Sequence, residues 1–255
     1  MEILKMTLSS RTAFFKKPEV NSYVYFTYGC IHKVALMGVF GAVLGLHGYG
    51  KERNAGEYPE FYEKLQNLKV GIKCNGKDGY IPKKIQIFNN TVGYASKEQG
   101  GVLNVKEQWL ENPSWDIYVM VNDEISRSLA KQLIHSNCVY MPYLGKNDHP
   151  ADITGVKVFQ DVKPLENYQR IDSLMEKSKA QFYTFDDFAD AMEEEEDLDS
   201  LEDSVYVYRY EEALPVRLSK ELQMYEEEDF VATNLWVKDY QDDVYQIGED
   251  TIVFW

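Results

Sequence analysis

Hydrophobic and polar residues alternate in several short stretches of the chain, and this two-residue period predicts β-strands. In the first stretch Leu4, Met6 and Leu8 share one side, with Lys5 and Thr7 on the other. Further strands are expected at residues 67–73, 84–88, 116–121 and 139–143, with an extended segment at 23–28.

Two stretches have helical spacing instead. Ile125, Leu129 and Leu133 recur every three to four residues and predict a helix over 124–135. Residues 34–46 are uncharged, and small residues at 35, 38, 41, 42 and 45 share one side of a helix expected over 31–46. Because an interior glycine costs a helix about 1 kcal/mol against alanine, we expect this bare side to lie close against the sheet.

The order strand, helix, strands, helix, strand is typical of an α+β fold of ferredoxin-like or RNA-recognition (RRM) type. Three segments rich in Val, Tyr and Trp follow at 205–210, 230–238 and 244–255, with Gly248 in a hairpin turn. Residues 186–203 between the two parts are mostly acidic and predict a solvated connection. We therefore expect an RRM-like domain at 1–160, an acidic helix or linker region at 161–204 and a small β-rich region at 205–255.

Charge is divided unevenly along the chain. The net charge is −15, yet residues 1–150 hold 18 Lys and Arg against 14 Asp and Glu, whereas residues 151–255 hold 9 against 28. Local charge matters more than the total, because salt screens exposed charges beyond about 10 Å at 0.1 M. The first part therefore permits an anionic partner such as RNA, and the acidic part permits a basic one.

Other classes of function have no support in the sequence. The motifs for nucleoside triphosphates, dinucleotides, zinc proteases and α/β-hydrolases do not occur. Three separated cysteines without a CxxC pair argue against a zinc knuckle or a disulfide framework and favour a reducing cytoplasm. The apolar run at 34–46 is shorter than a membrane span. We expect no metal, no cofactor and no membrane contact.

Basic and amide side chains cluster in the predicted turns, with tyrosines beside them. Positive charge interleaved with flat rings suits single-stranded RNA. The candidate RNA-binding residues are Arg11, Lys16, Lys17, Asn21, Tyr25, Tyr28, His32, Lys33, Lys83, Lys84, Asn89, Asn90, Lys97 and Lys146.

A catalytic interpretation remains open beside the binding one. Metal-independent RNA cleavage needs a base, a cation and an acid, and Tyr28, His32 and Lys33 are close enough in sequence to supply them. The simpler interpretation is that His32 caps the start of a helix or binds phosphate there. A small-molecule α/β enzyme has no motif in its favour.

Three stretches of the sequence together resemble the Cas-five family of the CRISPR-associated RAMP superfamily. Residues 9–49 resemble its opening, with Phe15 and Pro18 in the first loop, Thr27 at the end of the extended segment and a small-residue helix ending at Gly45. Residues 83–115 resemble the middle of the type I-B branch, and residues 140–153 resemble a strand followed by a Leu-Gly-basic turn. The resemblance covers about residues 1–155.

The resemblance implies a role in CRISPR antiviral defence. The family subunit has an RRM-like domain with a protruding β-hairpin thumb, and it holds the crRNA 5′ handle within a type I Cascade effector complex. It abuts the Cas-seven backbone subunit, contacts the large Cas-eight subunit and meets target DNA through the complex. In type I-B a separate nuclease cuts the precursor, whereas the type I-C subunit is itself the endoribonuclease that processes pre-crRNA repeats. The resemblance thus implies a non-catalytic subunit, with the nuclease as the alternative.

Overall fold

A computed structural model describes residues 1–19, 23–50, 57–183 and 207–255. The chain is mostly β, with three α-helices among these residues. The helices are α1 (Lys33–Leu44), α2 (Glu60–Leu65) and α3 (Glu124–Ile134). The strands are β1 (Ile3–Ser9), β2 (Thr12–Ala13), β3 (Val70–Cys74), β4 (Lys83–Asn89), β5 (Asn104–Glu111), β6 (Ser114–Met120), β7 (Asp152–Phe159), β8 (Met175–Glu176), β9 (Ala180–Phe182), β10 (Arg209–Leu218), β11 (Tyr225–Thr233), β12 (Val237–Tyr240), β13 (Val244–Ile247) and β14 (Asp250–Val253).

Four strands form a central antiparallel sheet in the order β3-β6-β1-β7. Ile3 of β1 lies opposite Met120 on one side and Phe159 on the other. Along the chain, α1 connects β1 towards β3, and α3 connects β6 towards β7. The alternation in β1 places Leu4, Met6 and Leu8 in the main apolar core, as the sequence predicts.

Local signals in the sequence bound the two longer helices. Asp123 accepts a hydrogen bond from the Ser126 amide, and Ser126 reaches back to the Asp123 amide, so α3 begins with a capping box. His32 caps α1, since its Nδ1 accepts from the Ala35 amide at 3.2 Å. The helix ends at Gly45, whose φ of +75° is left-handed and strongly favours glycine.

The small-residue side of α1 does not pack on the sheet, contrary to our expectation. Six buried apolar side chains of α1 enter the main core, and most of them lie on other sides of the helix: Val34, Leu36, Met37, Val39, Phe40 and Val43. Gly38 is exposed, and a Cβ added there would meet no atom within 4 Å. Gly41 is closely covered by Phe61 of α2, at 2.7 Å from such a Cβ, and Gly45 is covered by Val139, at 2.8 Å.

Two alanine substitutions test this difference between glycines of the same helix. Gly38→Ala should raise the free energy of unfolding by about 0.5–1 kcal/mol, because it removes the helix cost of glycine without a clash. Gly41→Ala should lower it by about 1–3 kcal/mol, because the methyl group overpacks against Phe61. Urea unfolding of both variants measures the two changes in the free energy of unfolding. Equal changes of the same sign would contradict this account of α1.

The fourth strand of the central sheet also lies at a different place in the sequence from the one that the hydrophobic periodicity predicts. Residues 139–143 form no strand, because the amides of Val139 and Tyr140 donate to the carbonyls of Val43 and Ala42 and so close the end of α1. The strand is β7, which the sequence analysis missed. Its alternation is interrupted by Gly155, whose φ is +61°, and its register with β1 shifts between Lys5 and Thr7.

The C-terminal part is built from small antiparallel sheets. Strand β11 pairs with both β10 and β8, β12 pairs with β9, and β13 pairs with β14 around Gly248, the predicted hairpin turn. The predicted strand 230–238 is instead divided between β11 and β12. Leu214, Phe230 and Trp255 belong to the same apolar core as β1 and α1.

Several sequence-based predictions fall outside the described residues. These are Asn21, the acidic segment 186–203 and the first two residues of the strand expected at 205–210. The boundaries at 160 and 204 remain predictions.

Candidate nucleic-acid interface

The exposed side of α1 forms the floor of an open groove with a volume of about 1140 Å³. Ala35, Gly38 and Ala42 line this floor. Their small side chains leave the helix surface nearly bare, with open space above Gly38. A flat group such as a nucleobase can therefore approach the helix closely here.

Aromatic and apolar side chains form the walls of the groove. Tyr140, Met141 and Tyr143 come from the loop after α3, and Tyr49 comes from the loop after α1. Tyr140 is 53% and Tyr49 is 54% exposed, and the Tyr49 ring also packs edge-on against Phe61. Exposed rings beside a groove are the stacking surfaces that single-stranded nucleic acids use.

Two lysines lie at the rim of the groove, and they differ in whether an acidic side chain pairs with them. Lys16 is exposed, its Nζ lies 4.1 Å from the centroid of the Tyr25 ring, and it makes no ion pair with any described residue. Lys146 donates to both carboxylate oxygens of Glu107, at 3.1 and 3.0 Å, and lies 3.5 Å from Asp148. Lys16 is therefore the more available cation for a phosphate.

The candidate catalytic residues Tyr28 and His32 lie side by side and are both buried, and of the two His32 borders the groove. Their ring centroids are 5.2 Å apart, and Tyr225 stacks against His32 at the same distance. The Tyr28 hydroxyl donates to Glu227. Burial, and then this hydrogen bond, raises the pKa of Tyr28, and burial lowers the pKa of His32 to about 3. At neutral pH the tyrosine is thus protonated and the histidine neutral.

The Lys33 side chain points away from Tyr28 and His32. Its Nζ donates to the carbonyl oxygen of Trp255 at 3.2 Å and is buried. Burial, with a smaller contribution from Lys69, lowers the pKa of the Lys33 ammonium to about 8. The structure therefore brings Tyr28 and His32 together but points Lys33 into the C-terminal part of the chain.

One acidic residue of the C-terminal part lies close to two of the predicted RNA-binding lysines. Glu212 of β10 pairs with Lys17 at 3.1 Å and accepts the Gly29 amide at 2.7 Å. Lys83 is half-buried near this carboxylate, and burial lowers its pKa. This neutralisation was not visible in the sequence, because Glu212 is almost 200 residues from Lys17.

The remaining candidates lie on and around the hairpin of β4 and β5. Lys84 pairs with Glu111 at 3.1 Å near its base. Asn89, Asn90 and Lys97 lie at the exposed far end, and Arg11 is exposed near its base. They are thus distributed along one protruding element rather than gathered around the groove.

Sequence reasoning missed most of the groove. Tyr140, Tyr143, Tyr49 and Tyr225 were not singled out, and Glu107 was not expected to hold Lys146. The local signals were the candidate cations Lys16 and Lys146 and the small-residue pattern of α1, which was assigned to packing. The walls come from separate loops, and no sequence pattern indicates their contact.

Among the described residues, no group of three His, Cys, Asp or Glu side chains is arranged to hold a metal ion. No helix in that part of the chain has the length and apolar character needed to cross a membrane.

Comparison with known proteins gives matches in structure only. No protein-family model and no curated protein matches the sequence. A chain of a "CRISPR RNA-guided surveillance complex" matches with a TM-score of 0.52 and 12% identity, over 94% of this chain and 96% of that one. A CRISPR protein from Archaeoglobus fulgidus matches at 0.48 and 10%, over 99% and 98%. A type III-B Cmr-beta chain bound to cognate target RNA matches at 0.43 and 10%, over 93% and 86%. The first of these matches shows that the chain shares the fold of a CRISPR RNA-guided complex component over nearly its whole length.

Proposed function

We propose that this protein is a cytoplasmic subunit of a CRISPR effector complex that binds the guide RNA in the groove over α1. The observation that carries the proposal is the likeness in fold to a chain of a CRISPR RNA-guided surveillance complex, which extends over almost the whole of both chains. The proposal is also supported by the bare helix floor, the exposed tyrosines and Lys16, which makes no ion pair with a described residue, since these features suit single-stranded RNA.

The finer assignment is a Cas-five subunit of a type I-B Cascade. The sheet has the strand order β3-β6-β1-β7, and along the chain α1 follows β1 and α3 follows β6. This arrangement supports a ferredoxin-like, RRM-type domain. The hairpin of β4 and β5 corresponds to the thumb. In this assignment the protein binds the crRNA 5′ handle, caps the Cas-seven backbone, bridges to the Cas-eight large subunit and meets target DNA through the complex.

The second candidate function is cleavage of pre-crRNA repeats by Tyr28, His32 and Lys33. The burial of all three side chains and the direction of Lys33 favour the binding function. Incubating the purified chain with labelled repeat RNA in EDTA separates the two. Binding without cleavage is expected, and discrete cleavage upstream of the handle that is lost in His32→Ala would establish the nuclease.

A pair of charge reversals at adjacent lysines tests the RNA-binding surface. Lys16→Glu should weaken binding of the labelled repeat RNA about tenfold and reduce the salt slope by about 0.7, because one phosphate contact is lost. Lys17→Glu places a second carboxylate beside Glu212, so it should mainly lower the melting temperature. Fluorescence anisotropy from 50 to 200 mM salt measures the slope. An unchanged slope and affinity in Lys16→Glu would remove the groove rim from the RNA surface.

A further inference from the structure

The hairpin of β4 and β5 has one open edge, and that edge is β4. Its three-stranded sheet has the order β2-β5-β4, so β5 lies in the middle. The other side of β5 is covered by β2 and by Tyr25, which donates to the Lys106 carbonyl and accepts from the Gln108 amide, both at 2.9 Å. Strand β4 pairs with no strand but β5 among the described residues.

The register shows which backbone groups of β4 point outward. The Lys106 carbonyl and the Gln108 amide point to Tyr25. The odd-numbered residues of β5 therefore direct their backbone groups to β4. Their partners are the even-numbered residues of β4, consistent with the bonds from the Glu111 amide to Pro82 and from the Asn90 amide to Leu103. Ile85 and Ile87 therefore direct their N–H and C=O groups away from β5.

The same two residues carry exposed apolar side chains. Ile85 is 49% and Ile87 is 56% exposed, and they lie on one face of the strand. The Ile87 carbonyl accepts from the Gln86 side-chain amide at 3.4 Å, and the outward amides of Ile85 and Ile87 stay open. An edge with open amides and exposed alternating isoleucines is a template for another strand, which natural proteins normally blunt or cover. The edge contains no proline and no bulge within its seven residues.

The charge on this face indicates what covers it. The strand residues that share the face are Lys83, Ile85, Ile87 and Asn89 of β4 and, opposite them, Leu110, Gln108, Lys106 and Asn104 of β5. They include two lysines and no carboxylate; Lys83 lies half-buried near Glu212 of β10, whereas Lys106 is exposed. A second copy of the chain would bring like charges together, whereas an acidic strand complements them.

We propose that β4 is a docking edge for an extended, acid-flanked segment of a partner protein, which adds as a strand and places apolar side chains against Ile85 and Ile87. Backbone hydrogen bonds would supply affinity, and the alternating side chains would supply specificity. This surface is distinct from the groove over α1 and does not depend on RNA binding.

Hydrogen exchange on the full-length protein tests the edge. The probe is the capped peptide Glu-Val-Thr-Val-Thr-Val-Glu at up to about 1 mM, which corresponds to weak binding. The amides of Ile85 and Ile87 should exchange quickly in the free chain and at least about tenfold more slowly with the peptide, since backbone bonding limits exchange. The amides of Gln86 and Phe88, already bonded to β5, serve as internal controls.

Two comparisons make the outcome decisive. The same peptide with N-methylated valines lacks the donors that would face β4 and should give no protection. The double variant Ile85→Glu and Ile87→Glu should abolish binding, whereas Val92→Glu with Tyr94→Glu at the hairpin tip should not. The proposal is overturned if the peptide fails to protect Ile85 and Ile87, if the methylated peptide binds equally, or if the tip variant alone abolishes binding. It is also overturned if light scattering shows that free chains already pair through this edge.

Discussion

Replacing Asp250 with alanine is expected to lower the free energy of unfolding by about 2–4 kcal/mol, because it leaves the buried Tyr118 hydroxyl without its acceptor and removes a carboxylate that pairs with the half-buried Lys5 and Lys73. Asp250 lies at the start of β14, over the outer face of the central sheet. Its carboxylate accepts from Lys5 at 2.7 Å and also from Lys73 and Tyr118. These partners lie on β1, β3 and β6, so one side chain fastens the last hairpin to three sheet strands.

Thermal unfolding followed by circular dichroism measures this effect. For a chain of this size the loss corresponds to a fall in melting temperature of about 4–16 °C. Glu249→Ala is the matched control, since Glu249 is the exposed neighbour in the same turn, and it should change stability by no more than about 0.5 kcal/mol. Equal melting temperatures for Asp250→Ala and Glu249→Ala would show that the cluster does not hold the hairpin.

The same carboxylate should make stability depend on acid pH. The hydrogen bonds from Lys5, Lys73 and Tyr118 outweigh burial and lower the pKa of Asp250 from 3.8 to about 2. The unfolded chain therefore binds the proton at a higher pH than the folded one. The contribution of Asp250 to stability is complete above about pH 4 and is lost as the pH falls towards 2. Denaturant unfolding from pH 5 to 2 should show a smaller decline in Asp250→Asn than in the wild type.

Replacing Gly38 with glutamate is expected to weaken RNA binding about 100-fold, which is about 2.7 kcal/mol. The new side chain would enter the open space above the groove floor. There it would repel phosphates and occupy the place of a stacked base, and stacking alone contributes about 1–3 kcal/mol per base. The fold should be retained, because glutamate is a better helix former than glycine.

Two control variants separate the effect of the new charge from the effect of side-chain size and from a general effect of added negative charge. Gly38→Gln has nearly the same size without the charge and should give a smaller loss of affinity. Ser128→Glu adds the same charge to the exposed face of α3, away from the groove, and should leave affinity unchanged. Anisotropy titrations with the labelled repeat RNA measure all three. Wild-type affinity in Gly38→Glu would exclude the floor of α1 from the binding surface.

Local patterns predicted the elements whose hydrophobic period is regular. The strands β1, β3, β4 and β6 and the helices α1 and α3 all lie within a few residues of their expected bounds. The hairpin around Gly248 was also predicted, because a glycine between two short apolar runs is a strong turn signal. Strand β5 was missed because its apolar positions are diluted by polar residues that face solvent or pair with distant groups, as Glu107 does with Lys146.

The candidate site could be predicted only in outline. The sequence indicated a small-residue side on α1 and positive residues around it, but it assigned that side to the sheet. Which side of a uniformly apolar helix faces the core depends on the elements that cover it. Here Phe61 covers Gly41 and leaves Gly38 open.

The sequence by itself determined where most strands and helices lie, that the first part of the chain is basic and the last acidic, and that no known nucleotide or metal motif is present. These properties are local or additive, so they can be read along the chain. Only the tertiary structure decided which charges remain available. Glu212, Glu107 and Glu111 pair with Lys17, Lys146 and Lys84, while Lys16, over the Tyr25 ring beside an open groove, makes no ion pair with any described residue. Pairing of this kind depends on contacts between residues as much as 195 positions apart, and no short-range pattern encodes them.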